Sequence, residues 1–99
     1  MEKICHCKRK KKRSPEETAR LLSHLHRIEG QIRGLANMVE EEAYCPDILT
    51  QASAARASLA SFSRSLLEEH IRTCVCHDLA EGKTEAAEEL VQTLRGMMK

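Results

Sequence analysis

The feature that most constrains the fold is the stretch from Asp47 to Glu81, which contains no glycine and no proline. Its apolar residues recur at helical spacing, at Ile48, Ala52, Ala55, Leu59, Phe62 and Leu66. Pro46 fits the first turn of a helix, and Gly82 is the residue type that commonly ends one. The sequence therefore predicts one long helix that begins at Pro46 and runs to about Glu81.

A helix is also predicted before this long one. Ser14 is placed to cap its N-terminus, and Pro15 fits its first position. Apolar residues then recur at steps of four and three as far as about Glu42, at Leu21, Leu25, Ile28, Ile32, Leu35 and Val39. Gly30 and Gly34 each cost about 1 kcal/mol relative to alanine inside a helix. Their presence predicts that another helix crosses closely at this point.

A short third helix is predicted after Gly82, with Thr84 as its cap. Its apolar face consists of Ala87, Leu90, Leu94 and Met97. The chain has no Trp, one Phe and one Tyr, so the aromatic residues that usually fill a sandwich or barrel core are missing. The predicted class is all-α, a three-helix subunit with one long central helix. At 99 residues its core is marginal unless oligomerisation adds buried surface.

Charge divides the chain into two predicted regions. Residues 1–13 carry seven Lys or Arg against one Glu, and the remaining nine basic and fourteen acidic residues sum to −5. Residues 1–13 are therefore predicted to be a disordered basic arm, and residues 14–99 a helical domain. The run from Lys8 to Arg13 suits polyphosphate partners, because each neutralised phosphate releases counterions. Nucleic acid is the favoured partner, and a solvated tail with no fixed partner is the alternative.

The role of the five cysteines depends on the redox state of the cell compartment. No apolar run is long enough to span a membrane, and the N-terminus lacks the apolar stretch of a signal peptide. A cytoplasmic protein is therefore expected. In a reducing compartment an odd number of cysteines favours metal ligands or reactive thiols over a disulfide framework.

Three residues form the candidate metal site. His70 and Cys74 lie four apart on the long helix, hence on one face and about one turn apart. A packed histidine and a small buried cysteine are the alternative for this pair. Cys45 is the third candidate ligand, because a thiol at a helix N-terminus has a lowered pKa. The helix separates Cys45 from His70 by ~37 Å at 1.5 Å per residue, so a single chain cannot assemble this site.

Two chains can assemble it if their long helices pack antiparallel. Cys45 of one subunit then meets His70 and Cys74 of the other, and a two-fold axis crosses near Ser58 and Leu59. The small residues from Ala52 to Ser61 would let the two helix backbones approach closely. By symmetry such a dimer carries two equivalent sites.

The ligand set indicates the metal. Two thiolates and one imidazole suit Cu(I) in a three-coordinate site, and Zn(II) if a fourth ligand is found. Two further groups are candidates for accessory roles. Cys76 and His77 follow the site closely, but residue 76 points away from residue 74 on a helix. The compact cluster Cys5, His6 and Cys7 is a candidate accessory metal site, a route of metal delivery, or an oxidisable tail.

Three segments together resemble the CsoR/RcnR family of copper-sensitive-operon repressors and their nickel, formaldehyde and persulfide relatives. The segments are HRIEGQIRGL at 26–35, YCPDILTQ at 44–51 and EEHIRTCV at 68–75, and the resemblance covers about residues 15 to 95. It implies an antiparallel four-helix dimer that assembles into a tetramer, binds operator DNA when unliganded and releases it with the inducer. It places the copper ligands on Cys45, His70 and Cys74. It also places Tyr44 and Glu89 around the ligand histidine, where they would orient the ring.

The branch of the family decides the inducer. Copper is expected, and the alternatives are persulfide chemistry at Cys45 and Cys74, or nickel. A nickel sensor of this family has an N-terminal histidine where this chain has Arg13, which disfavours Ni(II), although His6 keeps it open. A formaldehyde sensor would not need Cys74.

Contacts with DNA are expected on the first two helices and the arm. No helix-turn-helix, zinc-finger or basic-zipper spacing is present in the sequence. The candidate residues are Arg13, Arg20, His24, Arg27, Arg33, Arg56 and Arg64. Arginines on an ordinary solvated helix face would look the same.

Two other classes of protein use similar residues. A copper buffer or chaperone would use the same ligands without binding DNA. An enzyme would use Cys74 as nucleophile and His70 as base, but no acidic orienting residue or oxyanion donor is evident. The sequence therefore predicts a protein that is not an enzyme and has no small-molecule substrate.

Overall fold

The computed structural model of this chain describes residues 12–98, and within them every regular element is helical. The elements are α1 (Pro15–Glu40), α2 (Cys45–His70), a π-helical segment (Ile71–Val75), α3 (Cys76–Ala80) and α4 (Glu85–Met97). The predicted central helix corresponds to α2, the π segment and α3 in succession, and the predicted third helix is α4. The all-α class is confirmed. No helix within residues 12–98 is long and apolar enough to cross a membrane.

Helix α1 begins as the sequence predicts. The Ser14 hydroxyl accepts a hydrogen bond from the backbone N–H of Glu17 at 3.1 Å, and the Glu17 carboxylate accepts one from the Ser14 N–H at 3.4 Å. This reciprocal pair is a capping box, and Pro15 occupies the first turn. Two of the N–H groups that a helix start leaves without a backbone partner are thereby satisfied.

The turn after α1 forms a Schellman motif with an unusual residue at its centre. The N–H of Ala43 donates to the carbonyl of Met38 at 2.9 Å, and the N–H of Glu42 donates to Val39 at 3.1 Å. Glu42 has a φ of 56°, the left-handed conformation that favours glycine. A glutamate here stores backbone strain two residues before Tyr44.

The chain divides into two compact units, and the first is the pair of helices between Ser14 and Leu66. The rings of His24 and Phe62 meet edge to face with centroids 5.6 Å apart. This contact joins positions equally far from the turn at 43, so α1 and α2 run antiparallel. The buried residues of this unit are Leu21, Ile28 and Ala55.

The predicted apolar seam of α1 divides into two parts. Leu21 and Ile28 are buried, whereas Ile32 and Val39 are exposed. A single partner helix covers only part of the apolar arc, so several large apolar side chains of the two helices remain exposed. They are Leu22, Ile32, Val39, Leu49 and Leu59.

The close helix crossing predicted at Gly30 and Gly34 is not made within the described chain. A Cβ built on Gly34 would meet nothing within 4 Å, and one on Gly30 would meet only the Arg33 side chain of the same helix at 3.9 Å. Within residues 12–98, therefore, no second helix uses the space that these glycines leave.

The second unit joins residues 12 and 13 to residues 67–98 of the described chain, so its boundary falls inside α2. Its buried residues are Cys74, Val75 and Ala86. Gly82, with a φ of 84°, ends α3 in a second Schellman motif, in which the N–H of Lys83 donates to Asp78 at 2.9 Å. Gly82 thus ends the helix as predicted. Thr84 precedes α4 as predicted, but its side chain makes no capping hydrogen bond.

Candidate metal centre and nucleic-acid interface

The predicted ligands lie at the two ends of α2 and just beyond it. Cys45 is its first residue and His70 its last. Cys45 is exposed and carries a free thiol, and His70 is half-buried. Neighbouring Tyr44 is exposed, and its backbone carbonyl accepts hydrogen bonds from the N–H groups of Asp47 and Ile48 at 2.9 and 3.2 Å. The first turn of α2 thus presents a thiol to solvent on a fixed backbone.

Cys74 lies in the π segment and is 1% exposed, the only described residue whose side chain is fully buried. Its sulfur takes part in a disulfide, whereas the sequence favoured a thiol. In the π segment the N–H of Cys76 donates to the carbonyl of Ile71, five residues earlier. This wider turn is rare and often occurs at functional sites. The sequence pattern predicted an ordinary α-helix through Cys74.

The side chain of Thr73 lies next to the sulfur. Its hydroxyl donates to the backbone carbonyl of Glu69 at 2.8 Å and lies 3.7 Å from Sγ of Cys74, within hydrogen-bonding range for sulfur. Sequence reasoning did not single out Thr73. The only sequence clue is that a threonine directly precedes the candidate ligand.

The single chain does not bring the three predicted ligands together. Within residues 12–98, no three His, Cys, Asp or Glu side chains form a cluster that could hold a metal ion. Glu89 lies exposed on α4, and its backbone carbonyl accepts a hydrogen bond from the Thr93 hydroxyl at 3.0 Å. The roles predicted for Tyr44 and Glu89 around His70 remain predictions.

The residues proposed for accessory roles, Cys76 and His77, lie in different environments. Cys76 is exposed with a free thiol, in contrast to buried Cys74, so the two point in different directions as expected. His77 Nε2 lies 3.6 Å from a carboxylate oxygen of Glu81. Cys5, His6 and Cys7 lie outside the described residues.

The candidate DNA-binding residues differ in their surroundings. Those with exposed side chains on the two helices are Arg20, Arg27, Arg56 and Arg64. Arg33 is also exposed, and it lies 3.8 Å from Glu29 in an ion pair one turn apart. His24 instead packs its ring against Phe62. These positions leave four unpaired candidate cations on the surface of the described hairpin.

Arg13 is held differently from the other arginines. Its Nε lies 3.9 Å from a carboxylate oxygen of Glu69, and the two side chains are 27% and 12% exposed. Glu69 directly precedes His70, so the last residue of the basic arm contacts the helix turn that carries the candidate ligand. Sequence reasoning assigned Arg13 to DNA and missed this ion pair.

An all-helical fold with candidate soft-metal ligands at the ends of α2 is the pattern expected of a metal-responsive protein. The model of the metal-sensitive transcriptional repressor family matches residues 17–96, and the chain belongs to this family. The family consists of transcriptional repressors, so the protein is not an enzyme.

Known relatives and solved structures agree with this membership. The copper-sensing transcriptional repressor RicR of Mycobacterium tuberculosis is 47% identical over 68 residues, covering 69% of this chain and 71% of the relative. The copper-sensing repressor CsoR of Bacillus subtilis is 40% identical, covering 88% of this chain and 87% of the relative.

Two solved structures are similar to this chain. The copper-sensing repressor CsoR with Cu(I) from Geobacillus thermodenitrificans superimposes with a TM-score of 0.84 at 40% identity, covering 89% of this chain and 93% of that one. The nickel-responsive regulator InrS superimposes with a TM-score of 0.71 at 33% identity, covering 90% and 98%. Relatives that respond to two different metals thus share this fold.

Proposed function

We propose that this chain is a copper-responsive repressor that binds operator DNA when metal-free and releases it when Cu(I) binds. Each of two equivalent sites would consist of Cys45 from one subunit with His70 and Cys74 from the other. The observation that carries this proposal is the length of α2, an unbroken helix of 26 residues from Cys45 to His70. Ligands at opposite ends of such a helix meet only when a second chain runs antiparallel to the first.

The donor set supports a soft metal. Cys45 supplies a free, exposed thiol at the start of α2. His70 supplies an imidazole, and Cys74 supplies a second thiolate once its disulfide is reduced. Three such ligands match the three-coordinate preference of Cu(I). Copper-sensing relatives and a Cu(I)-bound structural neighbour favour the same metal.

The exposed apolar side chains of the first unit support pairing of chains. Leu49 and Leu59 on α2 lie on the surface of the first unit together with apolar residues of α1, and Leu59 is 48% exposed. Exposed apolar side chains are costly to leave in water and gain about 25 cal/mol per Å² when covered. Leu59 is also the position near which the proposed two-fold axis crosses. The proposed assembly is a homodimer that pairs further into a tetramer.

The exposed arginines support binding to DNA. Arg20 and Arg27 on α1, with Arg56 and Arg64 on α2, would lie along operator phosphates in the metal-free assembly. Ligation across two chains would favour a subunit arrangement in which these arginines no longer match the duplex. The two binding events are then coupled, and each weakens the other by the same factor. A protein of this kind acts on DNA in the cytoplasm.

The decisive experiment measures DNA affinity with and without copper. A duplex selected by the metal-free reduced protein from a random library serves as the probe in fluorescence anisotropy. We expect Cu(I) to weaken binding by about 5- to 150-fold, the usual range of allosteric coupling. Cys45→Ala should bind the duplex without responding to Cu(I). Equal affinities with and without Cu(I) would refute the proposal.

The same assay separates the rival functions. Nickel sensing is favoured by one observation, the nickel-responsive structural neighbour, and Ni(II) in place of Cu(I) tests it directly. A persulfide donor tests the chemistry that would need only Cys45 and Cys74. If the protein bound copper tightly but no duplex in a salt-dependent way, a copper buffer or chaperone would be the better assignment.

A further inference from the structure

The hydroxyl of Thr73 lies between two acceptors beside the candidate ligand Cys74. One acceptor is the carbonyl oxygen of Glu69 at 2.8 Å, and the other is Sγ of Cys74 at 3.7 Å. A hydroxyl carries a single hydrogen, so it donates fully to only one acceptor at a time. The short distance to the carbonyl indicates the main bond in this structure, and the sulfur lies within reach of a small rotation.

From this geometry we propose that Thr73 is a positioning residue for metal binding, which donates its hydroxyl to the Cys74 thiolate. The inference rests on the proposed copper function of Cys74. A thiolate is a charged acceptor, and hydrogen bonds to charged groups are stronger than those to a neutral carbonyl. The hydroxyl would therefore turn from Glu69 toward the sulfur when Cys74 is the ligand.

Burial makes this donor important. In the disulfide-bonded state of this structure Cys74 is 1% exposed, so its surroundings offer little water to stabilise negative charge on the sulfur. Partners that hydrogen-bond to a metal ligand orient it and tune its affinity, and their loss typically costs 10- to 100-fold in metal binding. Thr73 is β-branched, so its rotamer is restricted and its hydroxyl is held near the sulfur.

The chain offers matched controls for this inference. Thr50 and Thr93 make the same hydroxyl-to-carbonyl bond one turn back, to Pro46 at 3.0 Å and to Glu89 at 3.0 Å. Of these three threonines, Thr73 is the one whose hydroxyl also lies within hydrogen-bonding range of a cysteine sulfur. Thr93→Val thus removes an equivalent hydroxyl from a helix without touching a ligand.

The test uses the reduced full-length protein and Cu(I) competition with a chromophoric chelator. We expect Thr73→Val to weaken Cu(I) binding by about tenfold, Thr73→Ser to restore it, and Thr93→Val to leave it unchanged. A second readout needs no metal. The S–H Raman band of Cys74, identified by difference from Cys74→Ala, should shift in Thr73→Val and return in Thr73→Ser.

The outcomes separate this inference from the proposed function. Unchanged copper affinity and an unchanged S–H band in Thr73→Val would overturn the role of Thr73, even if Cu(I) still released the duplex. If Thr73→Ser failed to restore either readout, a packing role for the methyl group would replace the hydroxyl role. If Cu(I) did not release the duplex but the Raman band shifted as expected, the repressor function would fail while the contact to Cys74 stood.

Discussion

Complementation between two inactive variants tests whether the metal site spans two chains. One variant is Cys45→Ala, and the other is the double variant His70→Ala/Cys74→Ala. Neither chain can build a complete site with a copy of itself. In a mixed dimer of the proposed kind, however, the intact Cys45 of the double variant would meet the intact His70 and Cys74 of the Cys45→Ala chain. The site at the other end of that dimer has lost all three ligands.

The expected amount of copper follows from the length of α2 and from counting dimers. The helix has 26 residues, so Cys45 and His70 of one chain are ~37 Å apart and cannot share an ion. If the variants are unfolded together and refolded at equal amounts, about half of the dimers are mixed, and each has one intact site of two. About one quarter of the wild-type copper should therefore be bound tightly.

A mixture of wild-type chain with a chain lacking all three ligands provides an independent check. Ligands from two chains predict that only wild-type dimers bind copper, about one quarter of the sites. Ligands from one chain predict about half. Cu(I) bound in competition with a chelator, together with protein concentration, distinguishes these values. No tight copper in the first mixture, or half occupancy in the second, would refute the inter-subunit site.

Three further substitutions test other parts of the structure. Arg13→Met should lower the free energy of unfolding in urea by about 1–2 kcal/mol, because the ion pair of Arg13 with Glu69 is largely shielded from water. Arg33→Met, the control, should change it by less than about 0.5 kcal/mol, because both members of the Arg33–Glu29 pair are solvent-exposed. Equal effects of the two substitutions would contradict this reasoning. Glu42→Gly should raise the unfolding free energy by about 0.5–1 kcal/mol by relieving the left-handed strain, and Glu41→Gly should not; a loss of stability in Glu42→Gly would show that the glutamate side chain matters more than the strain. Leu59→Glu should convert the dimer to monomers in analytical ultracentrifugation, and an unchanged sedimentation coefficient would place the interface elsewhere.

The helix boundaries were predictable because local chemistry determines them. Ser14 and Pro15 begin α1 through a capping box and a fixed φ, and Gly82 ends α3 through its left-handed conformation. These effects act within four or five residues, so they can be predicted from the sequence alone. The end of α1 lacked such a marker, because Glu42 adopts a positive φ that its residue type does not suggest.

The direction of individual side chains was less predictable. His24 was grouped with Arg20 and Arg27 because steps of four and three place them on one stripe. The structure turns the imidazole toward Phe62 instead, which lies across the hairpin. A stripe is wide enough to include both inward and outward positions, and only the partner helix decides between them. The division of the α1 seam into buried and exposed parts has the same cause, since it depends on how many helices cover it.

The π segment shows why the candidate site was only partly predictable. Spacing in the sequence placed His70 and Cys74 one α-helical turn apart. The hydrogen bonds in the π segment instead join residues five positions apart, which makes the turn around Cys74 wider. The segment contains Ile71, Thr73 and Val75, three β-branched residues whose side chains crowd an α-helix. The Thr73 hydroxyl also donates to the carbonyl of Glu69, but Thr50 and Thr93 make the same bond inside regular α-helix, so this bond alone does not widen the turn. The wider turn is therefore a property of the whole β-branched segment, and the Thr73 hydroxyl lies beside the buried sulfur within the one described helical segment whose geometry the spacing of the sequence does not predict.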